Sequence, residues 1–317
     1  MDCVWMDAGW YGGDAVGASP DGFEGDWWAH TGDWRINRAH PDQLRDVRQA
    51  SADGGMGMVL WMEPERVRKG VPDVAAHPEY YLSIPENPDN LLLDLGHQDA
   101  WQYAFDQIAD KVASLHLTWY RQDFNFQPLP YWRAADAPDR RGMHEIHHIM
   151  GLYRLWDALL ARFPGLMIDN CASGGRRIDI ETMRRSVPLW RSDAQCPANP
   201  DPDVTQLHGV AYGQWMAYSG TGTGRLYDTY AARSAYAPAL ATNYTYSART
   251  AFGDDPAQQA WLRRMGAEYR RVQPYLTADL YPLSEWSAAH DCWYAVQYHR
   301  PESSDGMVQV FRRAKAP

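Results

Sequence analysis

The feature that most limits how this chain can fold is a series of short apolar runs, each closed by a polar or acidic residue and separated by helix-length segments. The opening VWMDAGWY holds Asp7, and MGMVLWM at 56–62 is the next such run. LLLDL at 91–95, LTWYRQDFN with Asp123 at its end, and LMIDN at 166–170 continue the series. Runs this short and continuous read as strands buried on both faces, the pattern of a parallel sheet covered by helices. Residues 42–52 predict a first helix. The segment from Asp99 places Trp101, Phe105, Ile108, Val112 and Leu115 at steps of four and three, which makes one apolar stripe. A long helix over 143–163 closes at Pro164-Gly165, and a short one is predicted at 181–185. VPLWR before Asp193, YGQWMAYS at 212–219 and a segment near 242–247 complete the strand pattern, with a helix over 255–271. The alternation predicts an α/β fold, and functional polar residues at so many strand ends favour a (β/α)8 TIM barrel over an open doubly wound sheet.

The tail differs. WYAVQYHR and GMVQVFRR flank PESSD and predict a β-hairpin. A lone hairpin is marginal, so it either packs on the barrel or begins a sheet domain. The expected organisation is a barrel over 1–290 and a partial C-terminal β-domain or hairpin over 291–317. With 317 residues the chain can bury a large core, and a formal charge of -10 without acidic blocks argues against a nucleic-acid partner. No 18-residue apolar stretch predicts a membrane span, and the absence of a basic leader favours the cytoplasm. Cys3, Cys171, Cys196 and Cys292 lie too far apart for a zinc knuckle or a dense disulfide framework. The 15 Trp and 19 Tyr against 7 Phe suit the faces of sugars or nucleobases, and equally suit large cores.

Asp123 and Asp193 each follow an apolar aromatic run, and in a barrel the ends of different strands meet around one pocket. Two carboxylates suit glycoside cleavage, and a retaining mechanism needs them about 5–5.5 Å apart. The competing expectation is that each Asp caps a helix or pairs with Arg121 or Arg191. CASGGRR, 171–177, follows a strand. Gly174 and Gly175 either bring amides to a ligand or permit a tight turn, and no phosphate-loop pattern accompanies them. Ser173 lacks a nucleophile-elbow context, and Cys171 suits packing as well as nucleophilic chemistry. His144-Glu145-Ile146-His147-His148 contains the two-histidine spacing of a zinc hydrolase, but no third ligand follows at a recognisable spacing, so solvent-facing or loop-packing histidines are expected. Asn243-Tyr244-Thr245 is a formal glycosylation sequon.

The order MDAGWY, GDW, GMVLWMEPERV, AHPEY, WYRQDFN, NCASGGRRID and LWRSD resembles the catalytic barrel of glycoside hydrolase family thirty-six, the melibiase-type microbial α-galactosidases, over residues 1 to about 290. The closing hairpin resembles the start of that family's C-terminal β-domain. The family's N-terminal β-sandwich has no counterpart, so the chain reads as part of a longer sequence. The resemblance implies a retaining exo-α-glycosidase, acting on α-linked galactosides or related oligosaccharides, with water as second substrate, no cofactor and no metal. It puts Asp123 in the nucleophile position after a fourth strand and Asp193 in the acid/base position after a sixth. Asp193 would need a raised pKa, whereas Asp123 would stay ionised. Arg121 stands where the family has a lysine that holds sugar hydroxyls. Asn125 orients ligand or nucleophile, Asp7 matches the first carboxylate of the Asp-Asp-Gly-Trp motif, and Trp10 lies beside it. Trp61, Cys171, Ser173 and Gly174 resemble pocket walls. Two departures matter. Ala8 replaces a second Asp that binds galactose hydroxyls, a loss of about 1.5–3 kcal/mol for one charged hydrogen bond. RSDAQC also differs from the family's usual continuation. An α-N-acetylgalactosaminidase, another α-glycosidase, and a noncatalytic carbohydrate-binding or scaffold protein therefore stand as alternatives. A homo-oligomer is compatible with the sequence.

Overall fold

The computed structural model describes residues 2–13, 27–197, 200–216, 218–242 and 255–317. The chain divides into two compact units, Met1–Ser186 and Val187–Pro317.

In the first unit the strands are β1 (Cys3–Met6), β2 (Gly57–Met62), β3 (Arg66–Arg68), β4 (Tyr81–Leu82), β5 (Asn90–Leu93), β6 (Trp119–Gln122) and β7 (Met167–Asn170). Four of them form a parallel sheet in the order β1-β2-β6-β7, with Trp61 beside Arg121 and Arg121 beside Asp169 in the register. Helices Arg45–Asp53, Gln98–Ser114 and Met143–Arg162 supply the crossovers that parallel pairing requires. The predicted stripe on Gln98–Ser114 is the buried face: Trp101, Ile108, Val112 and Leu115 are buried, and Phe105 packs against the same core. This α/β arrangement is the one expected of a barrel-type catalytic domain.

LLLDL departs from its predicted place. Leu91–Leu93 fall in β5, which pairs antiparallel with β3 and β4 in a separate three-stranded sheet. Asp123 therefore follows the third strand of the parallel sheet rather than a fourth. A buried apolar run carries no signature of strand direction, and the reversal after β2 that aims β3 backwards is invisible to periodicity. After β6 comes a helix, Leu129–Ala135, whose Tyr131 and Trp132 pack with Leu92, Phe124 and Phe126.

In the second unit β8 (Gly220–Thr223) and β9 (Ala239–Thr242) are parallel. The expected strands at VPLWR and 212–219 are displaced. Residues 202–213 are helical, and the segment around Leu189 lies beside β8, where the Gly220 amide donates to the Pro188 carbonyl at 2.7 Å. β8 reads GTGT because its neighbours leave no room. A Cβ on Gly220 would sit 2.1 Å from the Leu189 carbonyl oxygen, and one on Gly222 would sit 2.1 Å from the Trp190 ring. A strand selected for closeness has no apolar pattern to read. Of the segment near 242–247, only Thr242 falls in β9, and the rest, with the Asn243 sequon, lies outside the described residues. Helix Pro256–Val272 is capped by the Asp255 side chain. β10 (Asp279–Pro282), β11 (Trp293–Arg300) and β12 (Asp305–Arg312) form an antiparallel sheet, so the two tail runs pair with each other and gain a third strand. Tyr294, Val296, Tyr298 and Phe311 turn one face of that sheet onto Leu207 and Val210.

Gly151 sits where helix Met143–Arg162 crosses the chain after β5. A Cβ there would lie 2.1 Å from the Leu95 carbonyl oxygen, and the Gly151 carbonyl accepts from the Trp101 indole at 3.0 Å. Gly151→Ala should therefore lower unfolding free energy by about 1–3 kcal/mol despite its better helix propensity. Urea unfolding of the two proteins measures this, and an unchanged or raised stability would contradict the packing described.

Candidate active site

Alternate residues of a strand share a face, so Arg121 and Asp123 point the same way from β6 and its end. Trp61 and Glu63 do so from β2, and Asp169 and Cys171 from β7. Register aligns these into two successive layers above the sheet.

Asp123 is buried, and among the described residues its carboxylate accepts four hydrogen bonds. Oδ2 takes the Trp61 indole N–H at 3.1 Å and the Asn125 amide at 2.8 Å, while Oδ1 takes the backbone N–H of Phe124 at 2.7 Å and of Ser173 at 3.1 Å. Burial by itself would raise its pKa, but the Arg121 guanidinium and the donors from Asn125 and Trp61 outweigh it, and the group is held below the usual aspartate range. Such a carboxylate stays ionised and fixed in direction.

Asn125 ties Asp123 to a second carboxyl. Its backbone N–H donates to Glu63 Oε1 at 2.5 Å, and its side-chain amide lies between Asp123 Oδ2 and Glu63 Oε2, the latter at 3.4 Å. Burial, reinforced by the Asp123 charge and opposed by Arg66, pushes Glu63 up to about 7. Arg66 Nη2 donates to Glu63 at 2.7 Å.

Glu65 behaves in the opposite way. Wholly buried, it accepts from Gln122 at 2.7 Å and from Arg177 on both oxygens, and it pairs with His148 Nε2 at 3.0 Å. Burial alone would raise it, but Arg177 and His148 reverse the effect and hold it at about 2. Arg177 also donates to the Cys171 carbonyl at 3.1 Å, which pins the loop after β7. In that loop Ser173 adopts a left-handed φ of 46°, and its hydroxyl donates to Asn125 Oδ1 at 2.8 Å. A non-glycine residue there costs of order 1–3 kcal/mol, and the conformation is what turns the Ser173 amide onto Asp123.

The structure assigns the other predicted residues more varied places. Arg121 is buried, gives Nη1 to Asp169 at 2.5 Å, lies 3.8 Å from Asp7 and stacks on Trp5. Its charge is thus spent on protein carboxylates. Asp7 keeps an accessible carboxylate, 43% exposed, steadied by the Trp5 indole and the Ala8 amide. Trp10 is a core residue whose indole donates to the Trp61 carbonyl at 2.9 Å. Trp61 is buried as well and touches Asp123 rather than forming an open wall. Cys171 is buried, and burial with the neighbouring Asp123 and Asp169 charges, opposed by Arg121, raises its thiol pKa well above normal, which disfavours the thiolate. The buried Gly174 donates to the Cys171 sulfur.

Asp193 lies in the second unit, exposed, at the start of a 3-10 turn capped by Ser192. Its side chain makes no ion pair among the described residues, and the expected partner Arg191 is buried and donates instead to Ser219 and Thr205. The two histidines of the zinc-like spacing go to different carboxylates, His144 to Asp136 and the buried His148 to Glu65. His148 is thus neither solvent-facing nor a loop-packing residue. Glu63, Glu65, Asp169, Gln122 and Arg177 escaped the sequence reading. Their signal was polar residues at alternate positions within or just after apolar strands, where burial forces each to find a partner.

Beside this cluster a cleft of about 400 Å³ is lined by Arg66, Asn87, Asn90, Asn125, Ser173 and Arg176, among others. Asn125 and Ser173 connect its wall directly to the Asp123 carboxylate.

The family model for melibiase matches residues 2–202, and the chain belongs to that family, of the glycoside hydrolase family thirty-six type. It is similar to α-galactosidase AgaA of Geobacillus stearothermophilus, 26% identical over 224 residues that cover 69% of this chain and 28% of the relative. It is also similar to α-galactosidase 1 of Pediococcus pentosaceus, 22% identical over 298 residues that cover 88% of this chain and 39% of the relative. Among solved structures, α-galactosidase AgaB of Geobacillus stearothermophilus shares the fold, with TM-score 0.79 and 22% identity over 100% of this chain and 44% of that one. The chain spans less than half the length of these relatives.

Two outcomes follow from the electrostatics. Arg177→Met leaves Glu65 charged and buried without its cation, and should cost about 3–5 kcal/mol in urea unfolding at neutral pH. Glu63 has a folded pKa of about 7 against an ordinary 4.5, so its linked stability is present below about pH 4.5 and is lost as pH rises through about 7. Unfolding free energy measured from about pH 5 to about pH 8 should fall less in Glu63→Gln than in the wild type. Parallel curves would show that Glu63 is already ionised at low pH.

Proposed function

We propose that this chain is the core of a retaining exo-α-glycosidase, with terminal α-galactosides as its substrates. The observation that carries the proposal is Asp123, an ionised carboxylate held by four donors at the end of a parallel strand. Membership of the melibiase family and similarity to α-galactosidases support it, among them a variant of AgaA whose crystal structure is a complex with raffinose.

Asp123 attacks the anomeric carbon, and Asp193 protonates the departing oxygen. A covalent glycosyl-Asp123 intermediate forms and is hydrolysed by water that Asp193, now a base, deprotonates. Each carboxyl returns to its starting state. Asn125, Trp61 and the Ser173 amide keep Asp123 aimed, Arg121 keeps it charged, and Asp7 accepts a sugar hydroxyl. We assign residues 1–290 to a (β/α)8 barrel and residues 291–317 to a partial β-domain. Ala8 favours a second glycone, because the carboxylate that would read galactose hydroxyls is missing, and α-N-acetylgalactosaminides are the alternative substrate.

Proton NMR of aryl α-glycoside cleavage tests this directly. The α-anomer should appear first, and Asp123→Ala should lower kcat by about a thousandfold or more while remaining folded. The β-anomer appearing first would overturn the double displacement, and undiminished turnover in the variant would remove Asp123 from the reaction.

A further inference from the structure

The cleft beside Asn125 and Ser173 carries positive charge that the cleavage of a neutral sugar does not use. Arg176 is exposed yet held in place. Its Nε donates to the Ala172 carbonyl at 3.0 Å, and Nη2 donates to the carbonyls of Phe124 and Phe126 and to Ser173 Oγ, at 3.1, 3.3 and 3.0 Å. It forms no ion pair among the described residues, and Nη1 is committed to none of them. Arg66 gives Nη2 to Glu63, while its buried Nε has no partner among the described residues. The remaining lining consists of the amides Asn87, Asn90 and Gln127 and one buried ring, Phe126. Among the described residues no carboxylate lines the cleft, and no exposed aromatic face offers a platform for an uncharged ring.

We propose that this cleft is a subsite for an oxyanion carried by the sugar next to the scissile bond, such as the carboxylate of a uronic acid unit, and that Arg176 selects for it. This rests on the glycosidase function proposed above. With Nε and Nη2 committed to the protein, Arg176 offers an oxyanion charge-assisted hydrogen bonds from Nη1. Because Arg176 is already fixed by main-chain carbonyls, little rotamer freedom remains to be lost on binding. The charge belongs on the neighbouring sugar rather than the reacting one, since the ionised Asp123 would repel an anion at the anomeric centre more strongly the closer it lay.

Thio-linked α-galactosides, which resist cleavage, separate recognition from catalysis. Calorimetric titration of the purified chain with thio-linked galactosyl-glucuronate, its 6-sulfated glucose counterpart and galactosyl-glucose, in one linkage, should give at least about tenfold tighter binding of an anionic disaccharide. The preference should fall towards unity in Arg176→Gln, persist in part in Arg176→Lys, and shrink as salt is raised. A preference for the glucuronate alone identifies a carboxylate site, and an equal or greater one for the sulfate identifies a general oxyanion site. Equal affinity for charged and neutral sugars, a preference untouched by Arg176→Gln, or no binding by any of the three would overturn the proposal. Failure of the oxygen-linked neutral disaccharide to turn over would count against the glycosidase function instead, and leaves the binding comparison readable.

Discussion

The buried charge of Glu65 is the constraint on which the rest of the first unit depends. A carboxylate removed from water is tolerable only with close partners of opposite charge and further hydrogen bonds. Here those partners come from three elements: Gln122 on β6, His148 on helix Met143–Arg162, and Arg177 from the loop after β7. Meeting the demand of one residue therefore fastens sheet, helix and loop together. Since Arg177 also binds the Cys171 carbonyl, the loop has no freedom where it passes Asp123, and the strained Ser173 is held with its amide on the Asp123 carboxylate.

Above that tie, two neighbouring carboxyls are driven apart in proton affinity by their surroundings. Asp123 receives four donors and the field of Arg121. Glu63, deeper and with fewer donors, has its pKa raised by burial and by the charge of Asp123. Asn125 contacts both, so the state of one is felt by the other through a single amide. Pairs of titratable groups separated in this way are common where proton transfer is organised. Glu63 nevertheless touches Asn125 and Arg66 and faces the interior, which makes it a support for the site.

Much of the first unit could be read directly. The parallel strands, the stripe on helix Gln98–Ser114 and the long helix Met143–Arg162 follow from periodicity, because burying an apolar face is a local demand repeated along the chain. Asp123 was found because it ends a strand. The family resemblance puts Trp10 and Trp61 near the sugar; the structure buries both, with Trp61 bonded to Asp123 and Trp10 to the Trp61 carbonyl. An aromatic side chain gives no indication in sequence of whether it faces a cavity or a core. Strand β8 could not be read at all, since GTGT exists to admit Leu189 and Trp190.

From local pattern and residue order came the α/β class, the strand ends that carry chemistry and the family resemblance. Those properties depend on neighbours a few residues away, or on motifs kept in sequence. The partner of each buried charge was decided only by the tertiary structure: Asp169 for Arg121, Glu65 for Arg177 and His148, and Glu63 for Asn125. Electrostatic pairing acts over a few ångströms of space and is indifferent to separation along the chain. Glu65 and Arg177 stand 112 positions apart, and the sequence carries no trace of the bond that joins them.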